Sequence, residues 1–205
     1  AGADVARLGE CVRAVGHTVL LLEPWHAPEP LRRAYCVKEV YHTQASGARF
    51  DVVMSAAQQA AFEKALVEDL LSIATSVAKV DVRDAQCRKR EDTEAILGEL
   101  DRDVGLVQCN QLVVGLLRDA LAAQGKAALA RVPAAERGAS VLNVTLGLML
   151  GQQGRLDEAE ALLREGLRGS EAVYGDAHIE VYGAKSNRGA VLMDAGKRDE
   201  ANGLV

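Results

Sequence analysis

Two short stretches near the C-terminus carry the same pattern, forty-two residues apart. Residues 154–159 read Gly-Arg-Leu-Asp-Glu-Ala, and residues 196–201 read Gly-Lys-Arg-Asp-Glu-Ala. A period of this length is typical of helical repeats, in which one unit cannot bury its apolar face alone and therefore stacks on its neighbours. Stacked units leave an extended surface that commonly holds another protein. The duplication therefore predicts an array of helical hairpins.

Composition and motifs exclude several other functions. The formal net charge is -5, and the basic cluster Arg88-Lys89-Arg90 is followed at once by Glu91-Asp92, so we expect no nucleic-acid partner. No apolar run is long enough to span a bilayer, which argues against membrane insertion. The four cysteines are widely spaced, so no metal site is predicted, and reduced thiols indicate a cytoplasmic protein. Phosphate-loop and common hydrolase motifs are missing, and we expect no cofactor.

The N-terminal part of the sequence alternates between strand and helix patterns. Residues 17–22 are apolar without alternation, which predicts a strand buried on both faces. A helix is expected at about 29–45 and a second strand at 50–54. This order predicts parallel strands with a right-handed crossover in a three-layer α/β sheet. Residues 77–82 are expected to add one more short strand.

From Glu91 onward the pattern is helical to the end of the sequence, and Pro133 is the best boundary within that part. We therefore predict a partial α/β domain at 1–90, a helical connector at 91–132 and a repeat region at 133–205. Four helices are expected in the last region, at 140–153, 156–170, 178–195 and from 197 on. Because the chain lacks an initiator Met and stops within a repeat, both ends are expected to be cut.

Residues 146–160 and the link at 174–178 carry a recognisable repeat pattern, whose second copy aligns Gly147 with Gly189 and Ala159 with Ala201. The pattern resembles tetratricopeptide repeats of the kinesin-light-chain type. The resemblance implies that the first helix of each pair lines a peptide groove. The peptide-binding candidates it implies are Thr145, Lys185 and Asn187. The alternative is that Asn187 bonds only within the array.

The helix after the first strand contains Tyr35, Cys36 and Glu39. Strand, loop, aromatic-Cys-x-x-Glu helix, Gly and strand together resemble the second half of a TIR (Toll/interleukin-1 receptor) domain, over about 17–54. The resemblance implies a partial flavodoxin-like parallel sheet. In TIR domains that cleave NAD, it implies that Glu39 acts on the ribose and that Tyr35 stacks on the nicotinamide. A structural role of this helix is the alternative, with Lys38 and Glu39 forming only a surface ion pair.

These patterns lead to three hypotheses. The leading one is an adaptor or scaffold whose tetratricopeptide groove binds a protein or peptide and which also carries a TIR-like domain. The second is a TIR-type NAD glycohydrolase with Glu39 as its catalytic carboxylate, its missing strands coming from upstream sequence or another chain. The third is a structural subunit of a larger assembly, whose partners are the other subunits. The sequence leaves open whether the protein is an enzyme.

Overall fold

The structure is a computed structural model that describes residues 2–204, with side-chain burial given for residues 7–204. The chain divides into two compact units. The first unit comprises residues 1–62 and 71–120, and the second comprises residues 63–70 and 121–205.

The first unit begins with a short α/β segment. Its elements are α1 (Gly2–Val15), β1 (His17–Leu21), a 3-10 turn (Glu29–Arg32), α2 (Ala34–Ser46) and β2 (Arg49–Val53). The two strands are parallel and run in register from His17 opposite Arg49 to Leu21 opposite Val53. Helix α2 ends at Gly47, whose φ of 67° is in the left-handed region that glycine adopts without a steric cost. A parallel pair joined through a helix was predicted, and it is confirmed.

Among the residues that the structure describes, the sheet is covered on one face only, so the prediction of a strand buried on both faces within three layers is wrong. Leu20 and Val52 are buried beneath the helices, whereas Val19, Leu21 and Val53 are between 44% and 52% exposed. Side chains alternate across a strand, and helices α1 and α2 cover one side of this two-stranded sheet. The leucine-rich composition of β1 therefore does not indicate that both of its faces are buried.

The remaining elements of the first unit are helical. They are α3 (Ala56–Glu68), α4 (Leu70–Ala78), a second 3-10 turn (Val82–Asp84), α5 (Arg90–Asp103) and α6 (Leu106–Arg131), of which α3 and α6 also contribute to the second unit. The strand predicted at 77–82 is wrong. Ile73 and Val77 are buried four residues apart, which is the spacing of one helix face, and the helix extends to Ala78.

The helix predicted at 29–45 is interrupted at its start. Residues 29–32 form the 3-10 turn, and Arg33 is extended with φ -108° and ψ 120°. This extended residue forms a parallel bridge with Gln86, whose carbonyl accepts a hydrogen bond from the Ala34 amide at 3.1 Å. The backbone pairing with residue 86 therefore delays the start of α2 to Ala34.

The second unit consists of helices. After the C-terminal part of α6 come α7 (Ala134–Arg137), α8 (Val141–Gln152), α9 (Leu156–Tyr174), α10 (Ile179–Asp194) and α11 (Arg198–Asn202). The four helices predicted in this region are confirmed as α8 to α11, with α9 four residues longer than expected. Helix α9 packs against both α8 and α10, so the two hairpins stack in chain order.

Candidate protein-interaction surface

The first hairpin, α8 and α9, is held by glycines at points of close approach. Gly154 has a φ of 75° and turns the chain between the helices. A Cβ at Gly147 would lie 2.6 Å from Leu163 Cγ, and a Cβ at Gly166 would lie 3.2 Å from Asn143 Cβ. The two helices therefore pack closely at two positions one turn apart on α8, as the small residues in the sequence pattern predicted.

The second hairpin, α10 and α11, packs on the first through α10. Its turn is Gly196, with a φ of 74°. The Val191 side chain lies against Gly151 of α8, where an added Cβ would be 3.2 Å from Val191 Cγ2. His178 caps α10, its Nδ1 accepting from the Glu180 amide at 3.3 Å.

A buried ion pair joins the two hairpins. Arg188 on α10 bonds Glu160 on α9, and the two side chains are only 16% and 10% exposed. Arg164 lies 3.5 Å from the other oxygen of the same carboxylate. Sequence patterns do not indicate this pair, because the partners are 28 residues apart and neither falls in the duplicated motif.

Acidic residues of the duplicated motif also form ion pairs with basic side chains. Arg155 holds Glu158 by two hydrogen bonds at 2.7 and 2.9 Å, and Lys126 on α6 binds the same carboxylate. These hydrogen bonds, first from Arg155 and then from Lys126, lower the pKa of Glu158 to about 2. The first turn of α9 is therefore anchored to α6 by side chains as well as favoured by the helix dipole.

The three predicted peptide-binding residues have different surroundings. Thr145 is 7% exposed, and its hydroxyl donates to the Val141 carbonyl of its own helix at 3.1 Å. Lys185 and Asn187 are half-buried on α10. The Lys185 ammonium lies 6.0 Å from the Tyr182 ring centroid, a cation–π distance. The structure therefore puts two of the three residues on one helix at the protein surface, and buries the third.

Two cavities flank α10. The first has a volume of about 390 Å³ and is lined by apolar groups of Tyr182, Gly189 and Met193 together with Ala201 and Leu204. The second has a volume of about 380 Å³, and its lining is mainly cationic: Arg164, Arg168, Lys185 and Arg188 against the single acidic residue Glu171. Lys185 and Leu204 line both cavities. One surface of α10 therefore offers an apolar hollow next to a basic one.

The residues that resemble a TIR motif lie on α2 in the first unit. Tyr35 and Glu39 are one helical turn apart, and both are half-buried. Burial raises the pKa of Glu39, and the nearby Arg33 guanidinium partly opposes this shift. Burial, together with the charge of Glu39, also raises the pKa of the Cys36 thiol. The Glu39 carboxyl group is therefore harder to ionise than usual, and it lies one helical turn from the Tyr35 ring.

Lys38, next to Glu39, does not form the surface pair that the sequence suggested. Its side chain is fully buried, and Nζ lies 2.6 and 2.7 Å from the two carboxylate oxygens of Glu99 on α5. His42 Nε2 lies 4.0 Å from the same carboxylate. The ion pair therefore fastens α2 to α5 inside the first unit.

A further cavity of about 520 Å³ lies in the first unit. Its apolar lining includes Pro28, Leu31 and Val80, and its polar lining includes His26 and Lys79. Arg83 also lines it, but its guanidinium is bound to Asp81 at 2.8 and 3.0 Å. Neither Tyr35 nor Glu39 is among its lining residues, so this cavity does not serve the predicted catalytic pair.

Two other kinds of site are absent from the described part of the chain. Within residues 2–204, no helix is both long and apolar enough to cross a membrane. The same residues contain no group of three or more His, Cys, Asp or Glu side chains that could hold a metal ion.

Comparison with known proteins bears on the second unit. No curated protein and no solved structure gave a match. Residues 144–180, which run from α8 through α9 into the start of α10, match the family model of the tetratricopeptide repeat. The match supports the repeat predicted from the sequence, and a tetratricopeptide repeat indicates a role in binding other proteins.

Proposed function

We propose that this protein is an interaction adaptor or scaffold that binds a protein segment on the surface of α10. The observation that carries the proposal is the two-sided character of this helix. Val181, Ala184, Val191 and Leu192 are buried on one side, whereas Tyr182 and Met193 on the other are 57% and 50% exposed. The tetratricopeptide match, which ends at residue 180, supports a binding role for the hairpins.

Asn187 and Lys185 are the side chains proposed to hold the ligand. The structure gives the Asn187 amide no hydrogen-bond partner among the described residues, so it is available to bond an extended backbone. Thr145 contributes through shape alone, because its hydroxyl already donates to Val141. The kinesin-light-chain type of the repeat and the TIR-like character of residues 17–54 belong to the same proposal, supported by the motifs quoted above and by the parallel pairing of β1 with β2.

The test is a selection of displayed peptides on the immobilised full chain. We expect peptides with micromolar dissociation constants, whose binding weakens by about tenfold with Asn187→Ala or Lys185→Ala. Asp157→Ala is the matched control, since Asp157 lies outside this surface and its side chain is 94% exposed. Failure to select any peptide, or peptides equally tight on all variants, would overturn the proposal.

NAD cleavage is a second candidate function, favoured by one observation. Glu39 is partly buried with a raised pKa, one turn after Tyr35 on the same helix. The test measures nicotinamide release by the full chain and by Glu39→Gln, with Glu10→Gln, an exposed carboxylate on α1, as the control. Release that is lost only in Glu39→Gln supports cleavage. No release from the wild-type chain removes this candidate.

A further inference from the structure

The cavity of about 520 Å³ in the first unit lies between two segments that are far apart in sequence. One wall is formed by residues between 26 and 32, and the other by residues between 76 and 86. A parallel bridge between Arg33 and Gln86 ties the two segments together. In this bridge the Gln86 amide donates to the Arg32 carbonyl at 2.8 Å. Backbone hydrogen bonds therefore fix the distance between the walls of the cavity.

Both walls are also anchored in the core of the first unit. Pro28 is buried, and Leu31 is only 5% exposed. On the opposite wall, Val82 is fully buried, and its amide donates to Asn110 Oδ1 on α6 at 2.9 Å. Because these segments are already held in place, little ordering entropy opposes the binding of a ligand between them. The cavity is thus a preformed site, and its volume is usual for small-molecule sites.

Two arginines that line the cavity already have carboxylate partners. Arg83 donates from Nε to the two oxygens of Asp81 at 2.8 and 3.0 Å. Arg32 lies 3.7 Å from Glu29, its neighbour in the first 3-10 turn. The charges of both arginines are therefore balanced at short range, and neither is the main charge that the cavity offers to a ligand.

Lys79 and Asp84 line the same cavity and carry opposite charges. Across the residues whose side chains the structure describes, neither Lys79 nor Asp84 has an ion-pair partner. The hydrogen bonds from Asp81 raise the pKa of the Arg83 guanidinium, and the charge of Asp84 adds to this shift only weakly. Asp84 is therefore not the main partner of Arg83. The cavity presents one unpaired cation and one unpaired anion.

The rest of the lining combines apolar and uncharged polar groups. Its apolar side chains include Pro28, Leu31 and Val80, and Ser76 and Gln86 add groups that form hydrogen bonds. Apolar surface favours a ligand body that gives up its contact with water. Unpaired charges favour a ligand that carries the opposite charges, in this case one carboxylate and one ammonium. The lining therefore matches a molecule with both charges and an apolar body.

We propose that this cavity binds a small apolar zwitterion, which is either an apolar amino acid or a dipeptide of such residues with both ends free. Its carboxylate pairs with Lys79, its ammonium pairs with Asp84, and its side chains lie on the apolar part of the lining. This site is separate from the surface of α10. It is also separate from the pair of Tyr35 and Glu39, neither of which lines the cavity.

The test is isothermal titration calorimetry of the full chain with leucine and with leucyl-leucine. We expect saturable binding with a dissociation constant below about 1 mM, and the tighter of the two ligands shows whether an amino acid or a dipeptide is the occupant. The N-acetylated form of that ligand lacks the ammonium, and its C-terminal amide lacks the carboxylate. Each of these blocked forms should bind at least about tenfold more weakly, because it leaves one charge of the cavity without a partner.

Two variants separate the two charge contacts. Lys79→Met should weaken binding of the free ligand by about tenfold and should remove the difference between the free ligand and its C-terminal amide. Asp84→Asn should likewise remove the difference between the free ligand and its N-acetylated form. The matched controls are Lys64→Met on α3 and Asp157→Asn on α9, both exposed positions outside the cavity lining. Both control variants should bind as the wild type does.

Lys79 and Asp84 are exposed, so their substitution should leave the fold intact, and circular dichroism checks this. The proposal is overturned if neither leucine nor leucyl-leucine binds at millimolar concentration, or if Lys79→Met and Asp84→Asn leave binding unchanged. It is also overturned if a blocked form binds the wild type as tightly as the free ligand does. The cavity would then recognise a single charge and not a zwitterion.

Discussion

Arg188 on α10 donates from both Nε and Nη2 to one carboxylate oxygen of Glu160 on α9, at 2.9 and 2.8 Å. The pair connects the first hairpin to the second, and little of either side chain is exposed to water. Its geometry matters because a buried charge that loses its partner is far more costly than a surface ion pair that opens. The stacking of the hairpins therefore depends on a polar contact as well as on apolar packing.

Removal of Glu160 should destabilise the second unit. Glu160→Ala leaves the Arg188 guanidinium largely buried without this carboxylate, and we expect the free energy of unfolding to fall by about 2 to 3 kcal/mol. Asp157→Ala is the control, because its 3.4 Å contact with Lys197 is on the surface and is worth at most about 0.5 kcal/mol. Urea unfolding monitored by circular dichroism measures both. Equal effects of the two substitutions would contradict the structural role of the pair.

The two equivalent glycines should respond in opposite directions to alanine. Gly147→Ala forces a Cβ to 2.6 Å from Leu163 Cγ, and we expect a loss of about 1 to 3 kcal/mol. Gly189→Ala meets open space on a helix, and the higher helix propensity of alanine should raise stability by up to about 1 kcal/mol. Thermal melts of both variants provide the measurement. A destabilised Gly189→Ala variant would contradict the open surroundings of Gly189.

Sequence patterns predicted the second unit better than the first for a physical reason. The period of forty-two residues, the turn glycines and the apolar spacing are all local, and they fixed α8 to α11 within a few residues. Whether a side chain is buried depends instead on which other elements pack against its face of the strand or helix. Thus β1 has an apolar sequence, yet Val19 is 52% exposed, because only one face of the sheet is covered. Residues 77–82 have strand-like composition, but Val77 is buried one helical turn after Ile73, and α4 continues to Ala78.

Site chemistry was harder to predict than fold because it depends on contacts between distant residues. Lys38 looked like a surface charge beside Glu39, and its true partner, Glu99, is 61 residues away. The uncompensated charge of Lys185 became visible only when α9 and α10 were placed together. Asn187 was identified by its position in the pattern, and its role as a ligand-binding residue stays a prediction.

The Lys38–Glu99 pair predicts an asymmetric response to mutation. Lys38 is fully buried, whereas the Glu99 side chain is 30% exposed. Glu99→Ala removes the carboxylate from a cation that water cannot reach, and we expect a loss of about 3 kcal/mol. Lys38→Met fills the same space with an apolar chain and leaves Glu99 partly hydrated, so its cost should be below about 1.5 kcal/mol. Denaturant unfolding of the two variants checks the order, and a reversed order would contradict it.

Cysteine reactivity should follow burial. Cys109 is fully buried, and burial raises the pKa of its thiol to about 11, so very little of the reactive thiolate forms near neutral pH. Cys11 is exposed on α1. We expect iodoacetamide to modify Cys11 in the native protein while Cys109 reacts only after unfolding, as measured by mass spectrometry of peptides. Modification of both at the same rate in the native state would contradict the burial of Cys109.

The stability of the first unit should decrease as the solution becomes mildly acidic, through His42. Burial lowers the pKa of His42 below its usual 6.5, and the Lys38 charge adds to this shift, as does Arg13 more weakly, while Glu99 and Asp103 oppose it. A His whose folded pKa is depressed binds fewer protons in the folded state than in the unfolded chain. The free energy of unfolding must therefore fall as pH drops below about 6.5, until the folded pKa is passed.

His42→Gln removes the titrating group and keeps a polar side chain of similar length against Gly9, whose added Cβ would lie 2.9 Å from the His42 ring. As pH falls from about 7 to about 5, we expect the free energy of unfolding to decrease more for the wild type than for His42→Gln. His26→Gln, at an exposed position in a loop, serves as the matched control for a His-to-Gln change away from α2. Urea midpoints across this pH range provide the measurement. A pH-independent difference between wild type and His42→Gln would show that burial does not depress the pKa of His42.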